Sequence, residues 1–120
     1  MDCSGFTKLA FGAAGLILPR NASDQALTGE TLDPANTDAF RQGDLLFFGS
    51  GTGTNITHVG IYDGFSRFIH ASGRVFESSF KPGHPLYIPR KVIGAARILG
   101  NSAPKGITPY SAHPWYFNQK

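Results

Sequence analysis

A chain of 120 residues is long enough for one domain burying roughly two-thirds of its unfolded surface, and nothing in it requires a second. Hydrophobic residues make up 41% and charged residues 16%, a globular balance that excludes a disordered chain, and no apolar run approaches the ~18 residues of a membrane span. The net charge of +3 is scattered, with no basic run longer than Arg90-Lys91, so it describes a mildly basic solvated surface and not a nucleic-acid-binding face.

In chain order, Phe6, Leu9, Ala10, Ala13, Ala14 and Ile17 recur at three- and four-residue spacing. That pattern predicts an amphipathic helix over 6–17 with those residues as its buried stripe, capped by Asp2 or Ser4 and ended by Gly15 and Pro19. An acid and this helix follow Met1 at once, so no secretory leader is expected within the chain. Residues 19–42 read as a loop with at most a short helix near Ser23 to Leu27. After Gly43 come five strand-length apolar runs, "GDLLFFG", "HVGIY", "RFIHAS", "RVFESSF" and "VIGAARIL". A helix followed by about five strands indicates α+β with a largely antiparallel sheet. "GSGTGTN" at 49–55 lacks the Lys and Ser/Thr of a phosphate loop and reads as a connection. Residues 1–100 thus form the domain, and 101–120 form a proline-containing tail whose Trp115, Tyr116 and Phe117 are suited to dock on the body.

Cys3 is the single cysteine, which excludes an internal disulfide framework. A lone free cysteine is ordinarily a small buried hydrophobe, so its surroundings decide its role. His58 and His70 are separated by twelve residues whose midpoint is Gly64, in an Asp-Gly turn. A hairpin symmetric about Gly64, with a three-residue turn, sets the two histidines directly opposite with Cβ atoms about 5 Å apart. His58, Gly60, Tyr62, Phe68, His70 and Ser72 would then share the more polar face, and Val59, Ile61, Ile69 and Ala71 the apolar one. The start of a helix favours the thiolate through its unpaired N–H groups. Cys3 as nucleophile, His58 as base and His70 as the group that orients His58 follow the logic of papain-like cysteine peptidases.

"DCSGF" at 2–6, "LPR" at 18–20, "GDLLFFG" at 43–49, "HVGIY" at 58–62, "FIHASG" at 68–73 and "GAARIL" at 94–99 together resemble, in order and spacing, the NlpC-type family of bacterial cell-wall cysteine peptidases. The resemblance implies a papain-like α+β fold and hydrolysis of the bond from the γ-carboxyl of D-glutamate to meso-diaminopimelate or L-lysine in peptidoglycan stem peptides. It implies Cys3 as nucleophile, His58 as general base, His70 as third residue, and Asp2 and Ser4 as contacts to the stem peptide. The Cys3 backbone N–H suits an oxyanion donor. No metal or organic cofactor is implied, and a monomer in the cell envelope or outside the cell is expected, with a cytoplasmic recycling role as the alternative. Family domains usually extend upstream of the cysteine with a Tyr- and Gly-rich stretch, so the resemblance presents this chain as a domain lacking that segment. Ala22 stands where relatives often place Ser or Asp, which bears on substrate preference.

Three other readings compete. Zinc held by Cys3, His58, His70, His84 and His113 fits no ligand spacing. A non-catalytic module of the same fold would hold cell-wall peptide without cleaving it. Acyl transfer or amide hydrolysis on another substrate would use the same residues.

Overall fold

The computed structural model describes residues 2–49 and 55–98, and the backbone of 108–109. Helix α1 spans Cys3–Ala13, strand β1 Leu16–Ile17, helix α2 Ala22–Gln25, β2 Glu30–Leu32, a 3-10 turn Thr37–Ala39, β3 Leu45–Gly49, β4 Ile56–Gly64, β5 Arg67–Ser72, β6 Arg74–Ser79, β7 Lys91–Arg97 and β8 Thr108–Pro109. A six-stranded sheet runs in the order β2-β7-β3-β4-β5-β6, with every pair antiparallel. All five expected runs are strands of this sheet, and α1 packs on β4 and β5.

The helix differs from its apolar spacing. It begins at Cys3 and ends at Ala13, with Gly15 at a φ of 89° behind it and Ile17 already in β1. Its buried residues are Ser4, Thr7 and Phe11, while Leu9 is 59% exposed. The inward face is thus offset from the apolar stripe, because two of its positions carry hydroxyls with partners of their own: that of Ser4 accepts from Arg20 and that of Thr7 donates to the buried Gln25. Gln25 organises them: its Nε2 donates to the carbonyls of Ser4 (3.1 Å) and Pro19 (2.8 Å), and its Oε1 accepts from the Thr7 hydroxyl at 2.6 Å. A buried polar group costs little once it is paired, and this network holds the first turns of α1. The expected stripe instead lines a groove of about 700 Å³ on the outer face of α1, with Phe6, Leu9, Ala10 and Ala13 among its walls.

Two further corrections concern the loop and the hairpin. The 19–42 segment contains the expected short helix as α2, but also β2, which pairs with β7 through Thr31 opposite Ala96. The hairpin pairs Ile61 with Ile69, Tyr62 with Phe68 and Gly64 with Arg67, so its turn is Phe65-Ser66, both at positive φ (52° and 62°). Asp63 is bulged out of register and Gly64 still pairs, which moves the turn past the Asp-Gly signal. Pairing is displaced by two residues from symmetry about Gly64: Gly60, not His58, lies beside His70, and a Cβ on Gly60 would come 3.3 Å from that of His70. An even shift preserves side-chain parity, so the expected division of faces survives.

The histidine face is nevertheless not a polar one. Phe40, Leu46, Phe48, Tyr62, Phe68 and Ala95 form a buried cluster there, and Phe11, Leu18, Leu45, Phe47, Val59, Ala96 and Ile98 form the cluster beneath α1. Both sides of the sheet are core. A buried ion pair closes one end: Asp44 accepts from Arg97 Nε and Nη2 at 3.0 and 2.9 Å and from the Arg41 backbone N–H at 2.8 Å. Strand β8 pairs with β1 (Leu16 with Pro109, Ile17 with Thr108), which brings that part of the tail to the body. Trp115, Tyr116 and Phe117 lie outside the described residues. No helix among the described residues is long and apolar enough to cross a membrane.

Candidate active site

The sequence around Cys3 builds a helix start by its own chemistry. Asp2 is extended (φ −83°, ψ 171°) and its Oδ1 accepts the Gly5 backbone N–H at 2.7 Å, the N-cap geometry. A Cβ at Gly5 would stand 2.5 Å from that same carboxylate oxygen, so a larger residue there would displace the Asp2 carboxylate from its present place. Cys3 is the first helical residue and half-buried. Its N–H lies in the first turn, where helical N–H groups have no intrahelical partner.

Arg20 clamps the two residues that flank Cys3. Its Nη2 donates to Asp2 Oδ2 at 2.8 Å and its Nη1 to Ser4 Oγ at 2.9 Å. The Arg20 hydrogen bond, followed by that of Gly5, holds the Asp2 carboxyl below the usual carboxylate range. The Asp2 bond likewise raises Arg20, and the charge of the Asp2 carboxylate adds to this in the same direction.

The histidines meet on the sheet. His58 on β4 and His70 on β5 are 5% and 1% exposed, with Nε2 of His58 2.6 Å from Nδ1 of His70 and their rings at 86°. His70 is packed against Phe68 and Phe76, with ring centroids at 4.6 and 4.3 Å, and its Nε2 lies 2.9 Å from Ser78 Oγ. Both imidazoles are pushed down to about 4, first by burial and then by the positive charge of Arg90, with the His70 charge acting further on His58. They are therefore neutral at neutral pH, and a neutral imidazole can accept a proton. Since Nε2 of His58 is taken by His70, Nδ1 is the ring nitrogen that this bond leaves unengaged.

The structure brings together Asp2, Ser4 and Arg20 around Cys3, and separately His58, His70 and Ser78. No hydrogen bond joins Cys3 to His58 among the described residues: Cys3 packs against the cluster beneath α1, while His58 and His70 pack with Phe48 and Phe68 of the other cluster, on the two strands that α1 also contacts. His84 caps a turn by accepting the Leu86 N–H at 3.0 Å, and His113 lies outside the described residues. Among the described residues no three of His, Cys, Asp and Glu converge as metal ligands do. Spacing alone did not assign Arg20, Gln25 or Ser78. The last was within reach of it: the tight turn at Gly73 pairs Ser72 with Arg74, and that register carries Ser78 to the face of His70.

A cysteine opening a helix that packs on an antiparallel sheet, with a buried histidine pair on two neighbouring strands, is the papain-like α+β arrangement of the cysteine peptidases. The sequence pattern of the NlpC/P60 family matches residues 1–94, and the chain belongs to that cysteine-peptidase family of bacterial cell-wall hydrolases. It is 45% identical over 73 residues to a probable endopeptidase NlpC of Escherichia coli, covering 60% of this chain and 46% of that one. It is 43% identical over 72 residues to a gamma-DL-glutamyl hydrolase of Bacillus subtilis, covering 59% of this chain and 17% of the relative. The solved structure of NlpC2 from Trichomonas vaginalis superposes with a TM-score of 0.68 at 29% identity, over 80% of this chain and 36% of the other. The chain thus spans less than half the length of each.

Proposed function

We propose that this domain is a cysteine endopeptidase that hydrolyses the γ-D-glutamyl bond to meso-diaminopimelate or L-lysine in peptidoglycan stem peptides. The observation that carries the reading is the 2.6 Å bond between His58 and His70, which engages Nε2 of His58 and leaves its Nδ1 as the second ring nitrogen, on strands that the helix begun by Cys3 contacts. In this scheme the Cys3 thiol proton passes to His58 Nδ1 and the sulfur attacks the γ-carbonyl carbon. The Cys3 backbone N–H receives the developing oxyanion. Collapse expels the diamino-acid amine, which takes the proton from His58. Water then attacks the thioester with His58 again as base, releasing the glutamyl carboxylate and restoring the thiol. His70 orients His58 throughout.

Asp2 and Ser4 hold the peptide. An exposed carboxylate kept ionised by Arg20 suits a cationic amine on the substrate, and the Ser4 hydroxyl supplies a neutral hydrogen-bonding partner. The name of the Bacillus relative supports a γ-glutamyl linkage. The scheme uses only groups of this chain and water, and its substrate would place the protein in the cell envelope or outside the cell. Incubation with γ-D-glutamyl-diaminopimelate and γ-D-glutamyl-lysine tri- and tetrapeptides, followed by mass spectrometry, tests it. A new free diamino-acid amine that depends on Cys3 is expected. Intact peptides throughout, from a protein that binds them, would instead assign a peptide-holding module of the same fold.

A further inference from the structure

The histidine pair can be polarised in two directions, and only one leaves a base for Cys3. If His70 carries its proton on Nδ1, it donates to His58 Nε2, and the proton of neutral His58 then sits on Nδ1, where it blocks the nitrogen that must receive the thiol proton. If His70 carries its proton on Nε2, its Nδ1 accepts from His58 Nε2–H, and Nδ1 of His58 is a bare lone pair. The second arrangement requires an acceptor for His70 Nε2–H in a place where His70 is 1% exposed. Ser78 Oγ, itself on a residue only 2% exposed, lies 2.9 Å away and meets that requirement.

We propose that Ser78 is a positioning residue that ends a one-way chain of hydrogen bonds, His58 Nε2–H to His70 Nδ1 and His70 Nε2–H to Ser78 Oγ, and so keeps His58 Nδ1 open as the base. The register supports it. His70 lies opposite Phe76 and Phe68 opposite Ser78, so Ser78 shares the face of His70 one pair further along β6. The Phe76 and Phe68 rings pack around the imidazole and fix its place, but they offer no acceptor. The same chain serves the charged state: once His58 holds a second proton on Nδ1, its Nε2–H still points to His70 and nothing need turn over. Removing the hydroxyl leaves a buried N–H without a partner, an outcome that favours the reversed tautomers.

This inference rests on the catalytic reading of Cys3 and His58, and its test separates the two. Ser78→Thr and Ser78→Val have nearly the same shape and both suit a strand, so they differ in the hydroxyl alone. In 15N-labelled protein at neutral pH, long-range proton–nitrogen correlations should show His70 as the Nε2–H tautomer in the unmodified chain and in Ser78→Thr, with a shift toward Nδ1–H in Ser78→Val. Alkylation of Cys3 by iodoacetamide, with folding checked by circular dichroism, should be about tenfold slower in Ser78→Val than in Ser78→Thr, the scale set by one buried hydrogen bond. An Nδ1–H tautomer of His70 in the unmodified chain overturns the proposal without any variant. Equal alkylation rates in the two variants overturn it as well and leave the catalytic reading standing. An unmodified Cys3 no faster than a free thiol overturns both.

Discussion

His58 and His70 are 5% and 1% exposed, whereas the Asp2 and Arg20 side chains that frame Cys3 are 57% and 56% exposed. The side proposed to supply the base is held by aromatic packing, strand register and desolvation. The side proposed to supply the nucleophile is held by a helix cap and a solvated ion pair, with Gln25 beneath as its buried support. The difference fits the two tasks proposed for them. A base must keep one tautomer and one ring orientation, which burial enforces, while the residues beside a nucleophile must stay open to a substrate that replaces water.

The strongest way to break this contrast is at Cys3. Cys3→Ala should lower peptide hydrolysis about a thousandfold or more, with a circular dichroism spectrum and melting point close to those of the parent, because a half-exposed cap-turn residue carries little packing. On the base side, activity and stability should fall together. Phe68→Ala removes a fully buried ring that contacts both Phe48 and His70 and should cost about 3–5 kcal/mol in urea unfolding.

Acid should sharpen the same distinction. Both imidazoles sit near 4 in the fold against an ordinary 6.5, so between those values the unfolded chain binds more protons than the native one. The histidine contribution is complete above pH 6.5 and is lost as pH falls toward 4, on the order of 3 kcal/mol for each imidazole. Urea midpoints measured across that window should decline, and His58→Gln should flatten the decline. The smallest effect on stability is expected from Arg20→Gln, which shifts the melting point by no more than about 2 °C. Its consequence should appear as a higher KM for stem peptide with kcat reduced less, because Arg20 orders Asp2 and Ser4.

Legibility followed the same division. Strand positions could be read because β3, β4, β5, β6 and β7 are apolar runs between turn residues, and the parity that puts His58 and His70 on one face could be read from their even separation. The exact pairing could not, because the Asp63 bulge moves the turn to Phe65-Ser66, where exposed Phe65 carries no turn signal. The inward face of α1 was hidden because Ser4 and Thr7 are buried through hydrogen bonds to or around Gln25, a residue 21 positions from Ser4. Strand β2 has only three residues, and no periodicity can declare itself in so short a run. The role of Arg20 was equally hidden, since "LPR" names a residue but not the two partners its guanidinium reaches.

The central claim is that His58 activates Cys3. Iodoacetamide alkylation of Cys3, followed by mass spectrometry from pH 4 to 8 in the unmodified chain and in His58→Gln, tests it without a substrate. The account expects the unmodified chain to react at neutral pH about tenfold or more faster than a free thiol, and His58→Gln to fall to the free-thiol rate while remaining folded. Equal rates in the two proteins at every pH would contradict it.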